Sequence, residues 1–297
     1  MTKIAFIGLG HMGAGMAANL AKAGYEVLAF DIAAAAVERA VEAGCQAAAS
    51  GADAARAADI VVTMLPAGSH VKAVWADDII PNARLGALLI DCSTIDVESA
   101  RFVADLAAQA GFRAVDAPVS GGIMAADGGT LAFMVGCADE TFADVRAALD
   151  PMARVVIHAG GAGAGQAAKI CNNMLLGVSM LGVCEAFALA EKLGLDAERF
   201  FDIAAKSSGQ CWSLTNYCPW PGPVPSAPSN RGYEGGFLTA LMLKDLKLAQ
   251  EAAAKSGAAT PMGAQAEALY ALFDGLGYGQ KDFSAVLQLM RGRLAEL

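Results

Sequence analysis

The first half of the chain alternates two kinds of apolar pattern. Short runs at 3–8 (KIAFIG), 26–31 (EVLAFD), 60–65 (IVVTML), 87–93 (ALLIDCS), 113–118 (RAVDAP) and 131–136 (LAFMVG) are strand-length, rich in β-branched or aromatic residues, and punctuated by Gly, Asp or Pro. They are apolar at consecutive positions, as strands covered on both faces are. Between the first two lies MGAGMAANLAKAG, a helical pattern ending on Gly24. This alternation predicts a parallel sheet with helices on both faces. Beyond the glycine run GGAGAG at 160–165 the patterns are helical, over 166–193, about 196–206, 237–255, 261–274 and 283–293, and no strand is expected. Thr260-Pro261 marks one start, with Thr as N-cap and Pro at the first helical position. The segment 218–236 holds five of the chain's ten prolines and reads as an ordered loop or a mobile flap.

The turn after the first run indicates what the sheet serves. IAFIGLGHMGAGMA places Gly8-x-Gly10-x-x-Gly13 directly after a strand and at the head of a helix. There the three glycines allow a tight turn, close approach of the backbone to a pyrophosphate, and close packing of helix on strand. The helix N-terminus adds N–H groups and a positive dipole end. Gly8, Leu9, Gly10, His11, Met12 and Gly13 are therefore expected to hold a dinucleotide. Asp31 ends the second strand, eighteen residues past Gly13, where a carboxylate accepts hydrogen bonds from ribose hydroxyls. A 2′-phosphate there would meet that carboxylate, and the following IAAAAV supplies no arginine, so NAD is expected rather than NADP. Leu65, Pro66 and Thr94 lie at strand ends on the same edge and are expected to line the crevice. The fold expected is α/β: a Rossmann-type dinucleotide-binding domain over 1–162, then an all-α C-terminal domain over 163–297, joined by a long interdomain helix.

Composition narrows the partners. Hydrophobic residues make up 56% of the 297 but aromatics only 7%, so much of the apolar weight is alanine, which suits closely packed helices. A net charge of -9 leaves no excess of cations to neutralise phosphates, which argues against nucleic acid and anionic membranes as partners. The opening MTKIAFIGLG reads as a strand entering a glycine turn rather than as a signal peptide, so a cytoplasmic protein is expected. The apolar run 174–184 is about half of the roughly 20 residues a membrane span needs. Seven cysteines without a C-x-x-C pair and three scattered histidines suggest neither a disulfide framework nor a metal site.

A dinucleotide site leaves open what is oxidised. Lys169 and Asn173 are four residues apart and share one face of a helix. An alcohol that loses hydride must also lose its hydroxyl proton, which requires a base within hydrogen-bond reach. A lysine serves when burial or a neighbouring cation lowers its pKa from about 10.4. On spacing alone Lys169 reads equally as a side chain snorkelling from a partly exposed first turn. Likewise Ser120-Gly121-Gly122 reads either as a nest of N–H groups with a hydroxyl, suited to a small carboxylate, or as an ordinary Gly-Gly turn.

The segments FIGLGHMGAGMAANL, MLP, DCST, DAPVSGG, GAGQAAKICNNMLL, YCPWPG and LMLKDLKLAQEAA, in this order across most of the chain, resemble the 3-hydroxyisobutyrate dehydrogenases, within the wider β-hydroxyacid dehydrogenase family. The resemblance implies oxidation of 3-hydroxyisobutyrate by NAD to methylmalonate semialdehyde, a step of valine breakdown, with Lys169 as the catalytic residue. It implies that Ser120, Gly121, Gly122 and Asn173 hold the substrate, that Lys244 borders the nicotinamide site, and that Asp245, Trp212 and Tyr217 lie close by. L-serine dehydrogenase and tartronate semialdehyde reductase are the nearest alternatives, since their substrates keep the carboxylate and vary the C2 substituent. Imine reductases share the architecture but usually replace the lysine. A catalytically silent NAD-binding sensor or scaffold is opposed by the joint presence of Lys169 and Ser120-Gly121-Gly122. GQCW and YCPWPG put Cys211 and Cys218 where relatives tend to carry an amide, and both are expected near the substrate. The apolar helical half is expected to bury surface against another copy, as a homodimer or homotetramer.

Overall fold

The six apolar runs are strands of one nine-stranded sheet in the computed structural model, which describes all 297 residues. The chain opens with β1 (Lys3–Ile7), α1 (Gly13–Lys22), β2 (Glu26–Phe30), α2 (Ala34–Glu42), β3 (Gln46–Ala47), α3 (Gly51–Ala57), β4 (Ile60–Thr63) and α4 (Gly68–Val74). It continues with β5 (Leu88–Asp91), α5 (Val97–Gln109), β6 (Arg113–Asp116), β7 (Val119–Ser120), α6 (Gly122–Asp127), β8 (Leu131–Gly136), α7 (Phe142–Leu149) and β9 (Ala153–Gly160). The strand order is β3-β2-β1-β4-β5-β6-β8-β7, with β9 on β8. The six strands β3 to β6 are parallel and follow the doubly wound order, so the crevice beyond the ends of β1 and β4 is the topological switch point.

Alternation along β1 shows why its residues are apolar without a break. Ile4 and Phe6 pack with Met16 and Leu20 of α1, whereas Ala5 and Ile7 pack with Ala54 and Ala55 of α3, Val71 of α4 and Trp75. Each fully buried Ile, Leu, Val, Phe or Met of this set contributes about 1.5–3 kcal/mol, the alanines less.

The sheet is not parallel throughout. β8 runs antiparallel to both β6 and β7, because the chain spends the stretch after β6 on β7 and the short α6, too little for a parallel crossover. β8 and β9 both end level with Asp116, the last residue of β6, through the pairs Asp116↔Gly136 and Gly136↔Gly160. The chain therefore enters the long helix α8 (Ala164–Lys192) at the carboxyl edge of the sheet. β3, β7 and β9 had no counterpart among the expected strands; the first two are two residues long, and β9 runs directly into the glycine segment.

Packing divides the chain into Met1–Lys169 and Ile170–Leu297, rather than at 162/163, because the first turns of α8 belong with the sheet. The second unit holds the rest of α8, then α9 (Ala197–Ala204), α10 (Trp212–Thr215), α11 (Thr239–Ser256), α12 (Pro261–Phe273) and α13 (Val286–Arg291). Its core joins Met180, Cys184 and Phe187 of α8 to Met242 and Leu246 of α11 and Tyr270 and Phe273 of α12. As a whole α8 is long and apolar enough to cross a membrane, but it carries buried Gln166, Lys169 and Asn173, as a core helix does. Pro261 opens α12 as expected, yet Thr260 does not cap it; its hydroxyl donates to Gln250 Oε1 at 3.1 Å instead. The proline-rich loop is knitted into the unit: Ser229 Oγ donates to Cys218 O, Asn230 brackets Gly222 and Val224, and Tyr233 donates to Pro219 O.

Candidate active site

The turn after β1 has the shape its glycines suggested. Gly8 has φ +99°, and a Cβ there would enter the Met64 carbonyl after β4; a Cβ on Gly13 would enter the Gly8 carbonyl. Nothing lies within 4 Å of where a Gly10 Cβ would stand, so this side of the turn is open to a ligand. Met12, at the N-cap of α1, offers no side-chain acceptor, so the first-turn amides are left for an anion. Asp31 accepts the Leu9 N–H on Oδ2 at 2.7 Å and the Ala33 N–H on Oδ1 at 2.8 Å, which fixes its carboxylate at the end of β2. Leu9 thus serves through its backbone, with its side chain wholly in the core, whereas His11 is exposed. This open turn, uncapped helix and fixed carboxylate fit an NAD(P) dinucleotide.

Along the same edge, Leu65 and Thr94 are half-buried and Pro66 is exposed. They stand on a polar network that no sequence motif announces. Ser93 Oγ donates to Asp91 Oδ1 at 2.6 Å and accepts the Leu65 N–H at 2.8 Å. Thr63 Oγ1 donates to the same Asp91 oxygen at 2.7 Å and accepts from Trp75 Nε1 at 3.1 Å. Asp91 Oδ2 is buried without a hydrogen-bond partner. Burial pushes the Asp91 carboxyl up to about 6, against the pull of the two hydroxyls and the Ser93 amide.

Gly163 at the head of α8 has no side chain to cap it, and the cap comes from the sheet. Asp116 Oδ1 accepts the Gly163 N–H at 2.7 Å and Oδ2 accepts the Gln166 N–H at 2.8 Å. A Cβ on Gly165 would run into the backbone of Met134 and Asp116, so glycine allows this turn to lie against the strands. Burial raises the Asp116 carboxyl, and the amides that bond it oppose the shift. The Gln166 side chain clasps the loop after β5, with Nε2 donating to Ser93 O at 2.7 Å and Oε1 accepting from Ile95 N–H at 3.1 Å. A glutamine and two strand-end aspartates among apolar neighbours were the available signal for these three residues.

Lys169 follows three residues later and is only 7% exposed, which excludes the snorkelling alternative. Ser120 ends β7, and Gly121 and Gly122 have φ of +138° and +71°, values L-side chains rarely adopt. Asn19 of α1 donates to Ala126 O at 2.7 Å and to Asp127 O at 3.2 Å, which ties the dinucleotide helix to the end of α6.

In the second unit, Asn173 Nδ2 donates to Asp245 Oδ2 at 2.5 Å, and both residues are buried; Lys244, adjacent on α11, is half-buried. Trp212 stacks on Tyr217 with ring centres 5.0 Å apart. The Tyr217 hydroxyl donates to Asp282 Oδ2 at 2.7 Å, and burial together with that carboxylate drives the phenol far above its ordinary value. Tyr217 therefore has a ring to offer but no mobile proton. Cys218 does not face a ligand as expected: it is fully buried beside Cys184 in the helical core, and burial pushes its thiol up to about 11. Cys211 is half-buried at the N-cap of α10.

The family described as "NAD binding domain of 6-phosphogluconate dehydrogenase" matches residues 3–161, and that described as "NAD-binding of NADP-dependent 3-hydroxyisobutyrate dehydrogenase" matches residues 163–290. A 3-hydroxyisobutyrate dehydrogenase of Pseudomonas aeruginosa is 49% identical, with 99% of this chain and 100% of that protein covered. An NAD-dependent L-serine dehydrogenase of the same organism is also 49% identical, over 97% of this chain and 98% of its own. The solved structure of Mycobacterium tuberculosis 3-hydroxyisobutyrate dehydrogenase with L-serine matches with a TM-score of 0.95 at 48% identity, covering 98% of this chain and 99% of that one.

Proposed function

This chain belongs to the 3-hydroxyisobutyrate dehydrogenase family, and we propose that it oxidises 3-hydroxyisobutyrate to methylmalonate semialdehyde with NAD, with Lys169 as general base. The observation that carries this reading is the burial of Lys169 at the head of α8, in the unit that holds the dinucleotide turn. A lysine held out of water beside a dinucleotide site is placed to exchange a proton with a ligand rather than with solvent.

A nicotinamide dinucleotide held at the Gly8–Gly13 turn and Asp31 would supply the acceptor for the hydride leaving the alcohol carbon. Lys169, as the free amine, takes the hydroxyl proton while that oxygen becomes a carbonyl, and returns it in the reverse direction. Ser120, Gly121 and Gly122 hold the substrate carboxylate through a hydroxyl and backbone N–H groups. The reading assigns Asn173, Trp212, Tyr217 and Asp245 to the substrate side and Lys244 to the cofactor side; Asp245 orients the Asn173 amide. NAD is favoured over NADP because the Asp31 carboxylate is held by two amides where a 2′-phosphate would come. A cytoplasmic setting accords with seven free thiols. Association into a homodimer or homotetramer is supported by Leu175 and Leu189 of α8 and by Leu193 just past its end, which are 65%, 60% and 74% exposed.

Two measurements test the reading. Lys169→Ala is expected to lose about 10²- to 10⁴-fold in kcat while still binding NAD; unchanged turnover refutes the base. L-Serine is the second reading, favoured by the identity to the Pseudomonas enzyme. Rates on 3-hydroxyisobutyrate, L-serine and glycerate decide between them, and a kcat/KM for serine well above the others overturns the first.

A further inference from the structure

The buried side chain of Gln166 spends both ends of its amide on one loop. Nε2 donates to Ser93 O and Oε1 accepts from Ile95 N–H, so Thr94 between them is held from both sides. The backbone N–H of the same residue donates to Asp116 at the end of β6. Ser93 carries the connection onward through its hydroxyl to Asp91 and to the Leu65 N–H after β4. One residue thus joins the ends of β4, β5 and β6 to the first turn of α8. Lys169 lies three residues further on the same face of that helix.

We propose that Gln166 is a positioning residue: it locks the Ser93–Ile95 loop of the cofactor crevice to the head of α8 and so fixes the height and rotation at which Lys169 is presented. The inference rests on the reading of Lys169 as the base. Nothing else on the Gln166 side chain competes for these two bonds, and a leucine of similar size removes both. Ser93 O and Ile95 N–H are then left to find new partners, and the loop and helix move relative to each other. A misplacement of about 1 Å at a reacting group costs about 10²-fold in rate.

The test compares Gln166→Leu, Gln166→Glu and Lys169→Ala, singly and combined, in the full chain. It reads kcat, KM for both substrates, NADH affinity by fluorescence, and thermal midpoint. Gln166→Leu is expected to lower kcat about 10²-fold and to weaken NADH binding several-fold. In the Lys169→Ala background the same change should leave the residual kcat within about twofold, because the group it misplaces is gone, while the loss in NADH affinity persists. Gln166→Glu keeps the acceptor for Ile95 and regains the donor to Ser93 only when its carboxyl is protonated. Its rate relative to wild type should therefore rise as pH falls, and this variant carries the test should Gln166→Leu not fold. An equal fractional loss in both Lys169 backgrounds, a kcat loss that merely tracks the folded fraction, or no pH rescue overturns the proposal. Full turnover by Lys169→Ala overturns the base instead; the NADH affinity of Gln166→Leu then decides the crevice half, and unchanged affinity refutes it.

Discussion

Asp31→Asn removes a charge at nearly constant shape, and it isolates the electrostatic term behind the proposed preference for NAD. The carboxylate is held by the Leu9 and Ala33 amides, so it has no freedom to swing away from an approaching phosphate. For charges about 5 Å apart at an effective dielectric of about 20, Coulomb repulsion is about 3 kcal/mol per unit of phosphate charge. The flank is open, since Ile32 is 97% exposed, and salt screening brings the net discrimination to about 2–4 kcal/mol, or about 30- to 700-fold. Asparagine keeps one acceptor for the two amides and sets an NH₂ against the other, so NAD binding weakens modestly as well. The ratio of kcat/KM for NAD over NADP, measured from initial rates of nicotinamide reduction, should be about 30–700 in wild type and fall to near unity in the variant. Raising ionic strength should lower the wild-type ratio and leave that of the variant unchanged. A wild-type ratio near one, or a ratio that survives the substitution, refutes the reasoning.

Three further outcomes follow from the packing. Asp91 holds its proton in the folded chain up to about pH 6, whereas an unfolded aspartate releases it near 3.9, so its contribution to stability falls as pH rises between those values and is flat above them. Urea unfolding of wild type against Asp91→Asn should show a difference that changes by about 2 kcal/mol between pH 4 and 7; a constant difference would mean Asp91 is ionised throughout. Arg291 binds Glu191 through two bonds of 2.9 and 2.7 Å and lies over Trp220 at 4.3 Å. Arg291→Ala should cost about 2–3 kcal/mol and Arg291→Lys should recover less than half, because an ammonium neither forks nor stacks; full recovery by lysine in a denaturation series is the contrary result. Leu189→Lys should reduce the mass measured by light scattering to that of a smaller assembly without loss of helicity, and an unchanged mass places the interface elsewhere.

Much of the site was legible for local reasons. The three glycines after β1 and the acid ending β2 depend on backbone turns only a few residues long, whereas Lys169 and Ser120 each allowed two readings on spacing alone and took a proposed role only from the family resemblance. Gln166, Asp116 and Asp91 were not legible, because each works on groups far away in the chain: Gln166 reaches Ser93 across 73 residues and Asp116 across 50. Cys218 was misplaced for the same reason, since a motif locates a residue in the sequence without saying whether its side chain turns to a ligand or to the core.

The sequence by itself determined the order and kind of the elements and the dinucleotide turn, because periodicity and glycine sterics act within a few residues. Only the tertiary structure decided that β8 runs antiparallel, that the cap of α8 comes from a strand, and that Lys169 is buried instead of snorkelling to water. Those outcomes depend on which distant backbone groups and carboxylates the closed sheet brings alongside, and an apolar pattern records that a face is covered without recording what covers it.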